Sequence, residues 1–140
     1  RSALLYSIHT SSEDHTLLRT TSSTGASLMY SRALKSNCKV THQPDWGTVY
    51  VYTEGSERLT PESFLEYVVS FRNENHFHEE IVECMFRRIL DKLQPDVLDV
   101  MAFYTRRGGI DICPMRSTRD NSIFTRFADM SISDYREFRS

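Results

Sequence analysis

Apolar residues recur at two different periods along this chain, and the change of period divides it into elements. From Thr48 to Thr53, Val49 and Val51 alternate with Tyr50 and Tyr52, the period-two pattern of a half-buried strand. Glu54-Gly55-Ser56 is expected to end that strand. Beyond it the spacing becomes helical. Phe64, Val68 and Phe71 recur with Leu65 and Val69 alongside, behind Thr60 as N-cap and Pro61 as first helical residue. A second helix is predicted from near Asn75 to about Leu93. Phe77, Ile81, Met85 and Ile89 make one row on it; Val82, Phe86, Leu90 and Leu93 make its neighbour. A stripe that wide must face a sheet or another helix. Gln94-Pro95 stops the helix, and Val97 to Thr105 returns to strand with Leu98, Val100 and Ala102 on one face. Arg106 to Gly109 then turns the chain, and Ile110-Asp111-Ile112 alternates back as the paired strand.

The ends are patterned more weakly. Ala3 to His9 and Thr16 to Thr20 read as short strands around the polar turn Ser11-Ser12-Glu13-Asp14. Thr20 to Ala26 reads as a Ser/Thr/Gly loop. Leu28 to Lys35 is a further strand, and Phe124 to Phe127 a candidate edge. Strands, two helices, then strands imply an α+β domain: an antiparallel sheet with both helices on one face.

Bulk properties narrow the function. The 140 residues fit a single domain with a real core. Net charge is −2 and Lys/Arg are dispersed, so the basic stripe of a nucleic-acid binder is missing and a small-molecule partner is expected instead. No apolar run approaches the length of a membrane span, and no charged-then-apolar segment opens the chain. The chain begins with Arg1 and is expected to be a piece of something longer. Three cysteines, Cys38, Cys84 and Cys113, form no CxxC pair; the odd number points to free thiols in a reducing cytoplasm. Cys84 and Cys113 read as packing residues, and so does Trp46.

The candidate chemistry starts in the segment 34–47. Cys38 and Asp45 stand at the two ends of one short loop, a potential nucleophile and a potential proton donor. Taken from the residues alone, both also suit bland roles, as a small buried side chain and a turn former after Pro44. Two later segments bear on that choice: Ser-Phe-Arg-Asn-Glu-Asn-His-Phe-His-Glu-Glu (70–80) and Tyr-Thr-Arg-Arg-Gly-Gly-Ile-Asp-Ile-Cys-Pro (104–114). Glu79 falls in the first turn of the predicted helix. There it could serve the helix dipole, or act as a two-oxygen acceptor for a ligand.

From about Leu34 to about Ser117 these three segments together resemble the NADPH-dependent 7-cyano-7-deazaguanine reductases, the nitrile reductases of queuosine biosynthesis. The likeness is greatest to the C-terminal half of the two-module form. It implies the tunnelling fold, whose units assemble side by side into barrels, and hence a homo-oligomer. It implies NADPH as cofactor, no metal and a deazapurine substrate. It also implies Cys38 as the thioimide-forming nucleophile, Asp45 as proton donor, His78 and Glu79 as substrate-binding residues, and Arg107 and Gly108 as NADPH contacts. One departure stands out. Single-module members carry a Glu-Ser-Lys-Ser-type motif before the Ser-Phe-Arg, and here residues 60–67 read Thr-Pro-Glu-Ser-Phe-Leu-Glu-Tyr, without the lysines. In the two-module form that motif belongs to the N-terminal half, which is therefore an expected partner. Two other readings stand beside this one. The chain could be a zinc enzyme of the cyclohydrolase kind, drawing on Cys38, His42, His76, His78 and Cys113, or a binding module without catalysis of its own. Elemental analysis tests the first, and thiol alkylation with substrate protection tests the second.

Overall fold

A long antiparallel hairpin organises the chain. The computed structural model describes residues 13–37, 39–73, 76–107 and 110–119, the side chains of 105–107 and 110–112 excepted. Strand β1 (Thr20–Asn37) pairs with β2 (Pro44–Leu59) from Thr20↔Leu59 to Asn37↔Pro44, with register shifts at Ser22/Gly25 and Ser31/Leu34. The Ser/Thr/Gly stretch read as a loop is thus the outer half of β1. Its partner, the outer half of β2, supplies the ladder of backbone hydrogen bonds. An exposed edge needs no apolar side chains to hold it, so local composition hid the strand. Gly25 occupies φ +117 at the bulge, a conformation that glycine adopts without steric cost.

Strand β2 likewise continues past Glu54-Gly55-Ser56 to Leu59. Gly55 opens no turn; it lets Pro95 pass close, where an added Cβ would lie 3.4 Å from the Pro95 Cα. Residues 15–17 form a short 3-10 turn rather than the start of a strand. The Asp14 carboxylate draws it tight by accepting from Thr16 N at 3.1 Å. The predicted strands at 3–9 and 124–127 lie outside the described residues.

Helix α1 (Pro61–Val69) begins as predicted, with Thr60 Oγ1 accepting from Ser63 N at 3.3 Å. Phe64, Tyr67, Val68 and, just past its end, Phe71 are buried, whereas Leu65 faces water. Helix α2 runs His78–Leu93, starting later than the predicted Asn75. Phe77 is its N-cap and is exposed, not part of the buried stripe. Ile81, Met85 and Ile89, with Val82, Phe86 and Leu93, are buried as their spacing required. The helix ends at Gln94, which takes the left-handed conformation before Pro95.

Strand β3 (Val97–Arg107) pairs with β2 from Glu54↔Val97 to Gly47↔Tyr104. On its other side it carries β4 (Ile110–Ile112) and β5 (Met115–Ser117), both antiparallel to it. Leu98, Val100, Ala102 and Tyr104 point from β3 into a core shared with Leu34, Val49, Val51 and the inner faces of both helices. Both helices therefore cover one face of the sheet. The other face shows Tyr30 stacked on its cross-strand partner Tyr50, with Leu28 and Tyr30 largely in water. Trp46 also lies outside the core, 44 % exposed, with the Arg72 guanidinium over its ring at 5.8 Å. It points to the face of β2 opposite Asp45 and Gly47. Among the described residues no helix is long and apolar enough to cross a membrane.

Candidate active site

Three elements meet at one end of the sheet: the start of β2, the first turn of α2 and the far half of β3. Alternation along β2 sends Asp45, Gly47, Val49 and Val51 to the helix-covered face. Asp45 is therefore buried, although it sits at the mouth of a hairpin loop. His78, the first residue of α2, reaches back to it, with Nε2 3.1 Å from Asp45 Oδ2. The imidazole lies flat on the Tyr104 ring, centroids 3.8 Å apart and planes 19° from parallel. Tyr104 is itself buried, and among the described residues its hydroxyl has no hydrogen-bond partner. Burial, followed by the charges of Asp45 and Glu79, pushes its phenol well above the ordinary tyrosine range.

Glu79 is exposed in the first turn and makes no hydrogen bond or ion pair with another described residue. The helix-start role open to it belongs to its neighbour: Glu80 accepts from Phe77 N at 2.9 Å and closes the N-terminus. Glu80 also meets Lys39 Nζ at 3.3 Å and His76 Nδ1 at 3.3 Å. Partial burial works to raise the Glu80 carboxyl, but the Phe77 N–H and the Lys39 ammonium outweigh it and hold it below its ordinary range.

Cys38 lies outside the described residues, as does Gly108. Both chain neighbours of Cys38 are described, and both are tied to the start of α2. The Asn37 carbonyl accepts from His76 N at 3.1 Å, and Lys39 pairs with Glu80. Arg107 ends β3 opposite Ile110, at the same end of the sheet as Tyr104; its side chain is outside the described set. Cys84 is a poor nucleophile by contrast. Burial, aided by the Glu13 charge, pushes its thiol up to about 12.

His76 precedes α2 and pairs with Glu80, while His78 pairs with Asp45. Among the described residues no group of three or more His, Cys, Asp or Glu is arranged to hold a metal ion. What the described residues offer is a carboxyl–imidazole pair in contact and, one residue on, an exposed carboxylate. Sequence reading missed Tyr104, Gly47, Glu80 and Lys39. The one available signal was Glu80 three residues after Phe77, the spacing of a helix-capping carboxylate.

Comparison with known proteins adds to this geometry. Residues 44–122 match a family model described as QueF-like protein. The NADPH-dependent 7-cyano-7-deazaguanine reductase of Coxiella burnetii (strain Dugway 5J108-111) is 44 % identical over 132 residues, which is 94 % of this chain and 44 % of that protein. The protein of the same name from Legionella pneumophila (strain Corby) is 48 % identical over 101 residues, 72 % of this chain and 35 % of that protein. The chain thus spans less than half the length of these relatives. Among solved structures, the crystal structure of the archaeosine synthase QueF-Like in the apo form superposes with a TM-score of 0.65 at 19 % identity. The match covers 71 % of this chain and 99 % of that one. The sheet with two helices on one face is the tunnelling fold.

Proposed function

We propose that this chain, which belongs to the QueF-like protein family, carries the nucleophile and acid for reducing the nitrile of 7-cyano-7-deazaguanine to the aminomethyl group, in tRNA queuosine biosynthesis. The observation that carries this reading is the Asp45–His78 pair, at 3.1 Å, which joins the start of β2, seven residues after Cys38 in the sequence, to the start of α2. A nitrile carbon is a poor hydride acceptor, so it is first converted to a better one. The Cys38 thiolate adds to the carbon, one C–N π bond is given up, and the nitrogen takes a proton from Asp45; the product is a thioimide. His78, in contact with that carboxyl, can share the proton and return one after transfer. Glu79, exposed and not engaged in capping, accepts the adjacent N–H donors of the deazapurine ring.

NADPH, when bound, supplies the two hydrides that carry the thioimide to the amine, the thiol leaving between them. The residues proposed for it have suitable chemistry: an arginine at the end of β3 to grip phosphate and a glycine next to it that lets backbone approach. The N-terminal module of a two-module relative is the proposed partner, completing the cofactor site. Homo-oligomeric assembly, the reducing cytoplasm as compartment and the absence of direct nucleic-acid contact belong to the same reading.

Intact-mass measurement after incubation with 7-cyano-7-deazaguanine tests the reading directly. One substrate mass should be added. Cys38→Ala should abolish the adduct, whereas Cys84→Ala and Cys113→Ala should retain it; an adduct on Cys38→Ala protein overturns the mechanism. An NADPH absorbance assay tests the partner. The chain alone should capture substrate without useful reduction, and the N-terminal module added in trans should restore NADPH consumption. Full turnover by the chain alone would refute the need for that module.

A further inference from the structure

The geometry points to Tyr104 as a positioning residue for the Asp45–His78 pair, its ring seated on Gly47 and pressed flat against the imidazole. This rests on the proposed role of that pair in proton transfer. Three independent observations support it. First, the rings are nearly parallel at 3.8 Å, so the imidazole cannot tilt without losing the contact, and its edge is kept in line with Asp45. Second, Tyr104 and Gly47 are direct cross-strand partners, and an added Cβ on Gly47 would lie 3.1 Å from Tyr104 Cδ1 and 3.0 Å from the Phe103 carbonyl oxygen. Glycine at this position, with no turn to make, leaves the space the phenol ring fills. Asp45 lies two residues before Gly47 on the same face of β2, so one short stretch of strand holds both the acid and the seat of the ring. Third, the Tyr104 hydroxyl is buried and makes no hydrogen bond to any described residue. What Tyr104 gives the site is therefore the face of its ring.

The test compares single and double variants of this chain by the rate of substrate capture, read by intact mass. Tyr104→Phe keeps the ring and should capture at the wild-type rate, with a melting temperature no lower. Tyr104→Leu removes the ring and should slow capture by about tenfold to a hundredfold, the scale of a small misplacement of reacting groups. It should add nothing further in a His78→Ala background, because it acts through His78. A merely structural role would give additive losses that follow the melting temperature. Gly47→Ala leaves all three functional side chains in place but pushes on the ring, and it should slow capture too; it carries the test if Tyr104→Leu does not fold. Wild-type capture by folded Tyr104→Leu or Gly47→Ala protein overturns the assignment, as does a Tyr104→Phe loss equal to that of Tyr104→Leu. If His78→Ala and Asp45→Asn themselves capture normally, the proton-transfer reading of the pair fails first, and the role of Tyr104 falls with it.

Discussion

At the scale of single residues, burial and partners separate groups that the sequence leaves equivalent. Asp45→Asn keeps the shape of the side chain but removes the acid. It should slow adduct formation by about a hundredfold, the usual scale for general acid catalysis; near-normal capture would leave Asp45 with a structural role alone, as the buried partner of His78. Glu79→Ala should weaken the deazapurine by about 2 to 4 kcal/mol, the range for a carboxylate accepting two hydrogen bonds, with the loss read by calorimetry on Cys38→Ala protein. Arg107→Ala should leave capture intact and raise the NADPH requirement of the complete enzyme. Cys84 gives a contrast in pH dependence. Its thiol is raised from 9.0 to about 12 in the fold. Its contribution to stability is therefore complete below pH 9 and is lost as pH rises through 12. Alkaline unfolding should begin later in Cys84→Ala protein, provided the cavity it leaves is allowed for by comparison at neutral pH.

At the scale of elements, what sequence could show depended on whether an element's face or its partner defines it. The stripe of α2 was legible because Ile81, Met85 and Ile89 meet the core through their own period. The outer half of β1 was not, because only its ladder to β2 makes it a strand. Asp45 was singled out from its spacing to Cys38 and from family resemblance, and its burial was set by alternation along β2. The Tyr104–His78 stack was not, because it joins the far half of β3 to the start of a helix through tertiary packing alone. Glu80 lies between these cases: its cap is local, but its grip on Lys39 is long-range. Glu80→Ala should cost about 1 kcal/mol by chemical denaturation, as for other lost caps. The Glu80 contribution should be present above the ordinary carboxylate range and fade as pH falls through its depressed value, so wild type and variant should converge in acid. A constant gap between them down to low pH would show that the cap is not ionic.

At the scale of the whole molecule, the two faces of the sheet have opposite character. One is covered by both helices. The other presents Leu28 and the Tyr30–Tyr50 stack to solvent beside the long edge strand β1. Among the described residues nothing pairs with the outer edge of β1, and apolar side chains next to such an edge favour association, which accords with the proposed side-by-side assembly. Tyr30→Lys should shift sedimentation toward smaller species without lowering the melting temperature of the monomer. An unchanged sedimentation profile would place the contact elsewhere.

The ties on either side of Cys38 also have a thermodynamic consequence. His76 N–H on the Asn37 carbonyl and Glu80 on Lys39 tie the residues before and after Cys38, the proposed nucleophile, to the start of a helix that is itself packed on the core. The freedom of Asn37 and Lys39 is thus surrendered once, when the protein folds, and not again at each encounter with substrate. The first-order conversion of bound substrate to adduct should then show a small activation entropy, its barrier being almost wholly enthalpic. In Glu80→Ala protein the same reaction should acquire a more negative activation entropy, visible as a change of intercept rather than of slope in the temperature dependence of its rate.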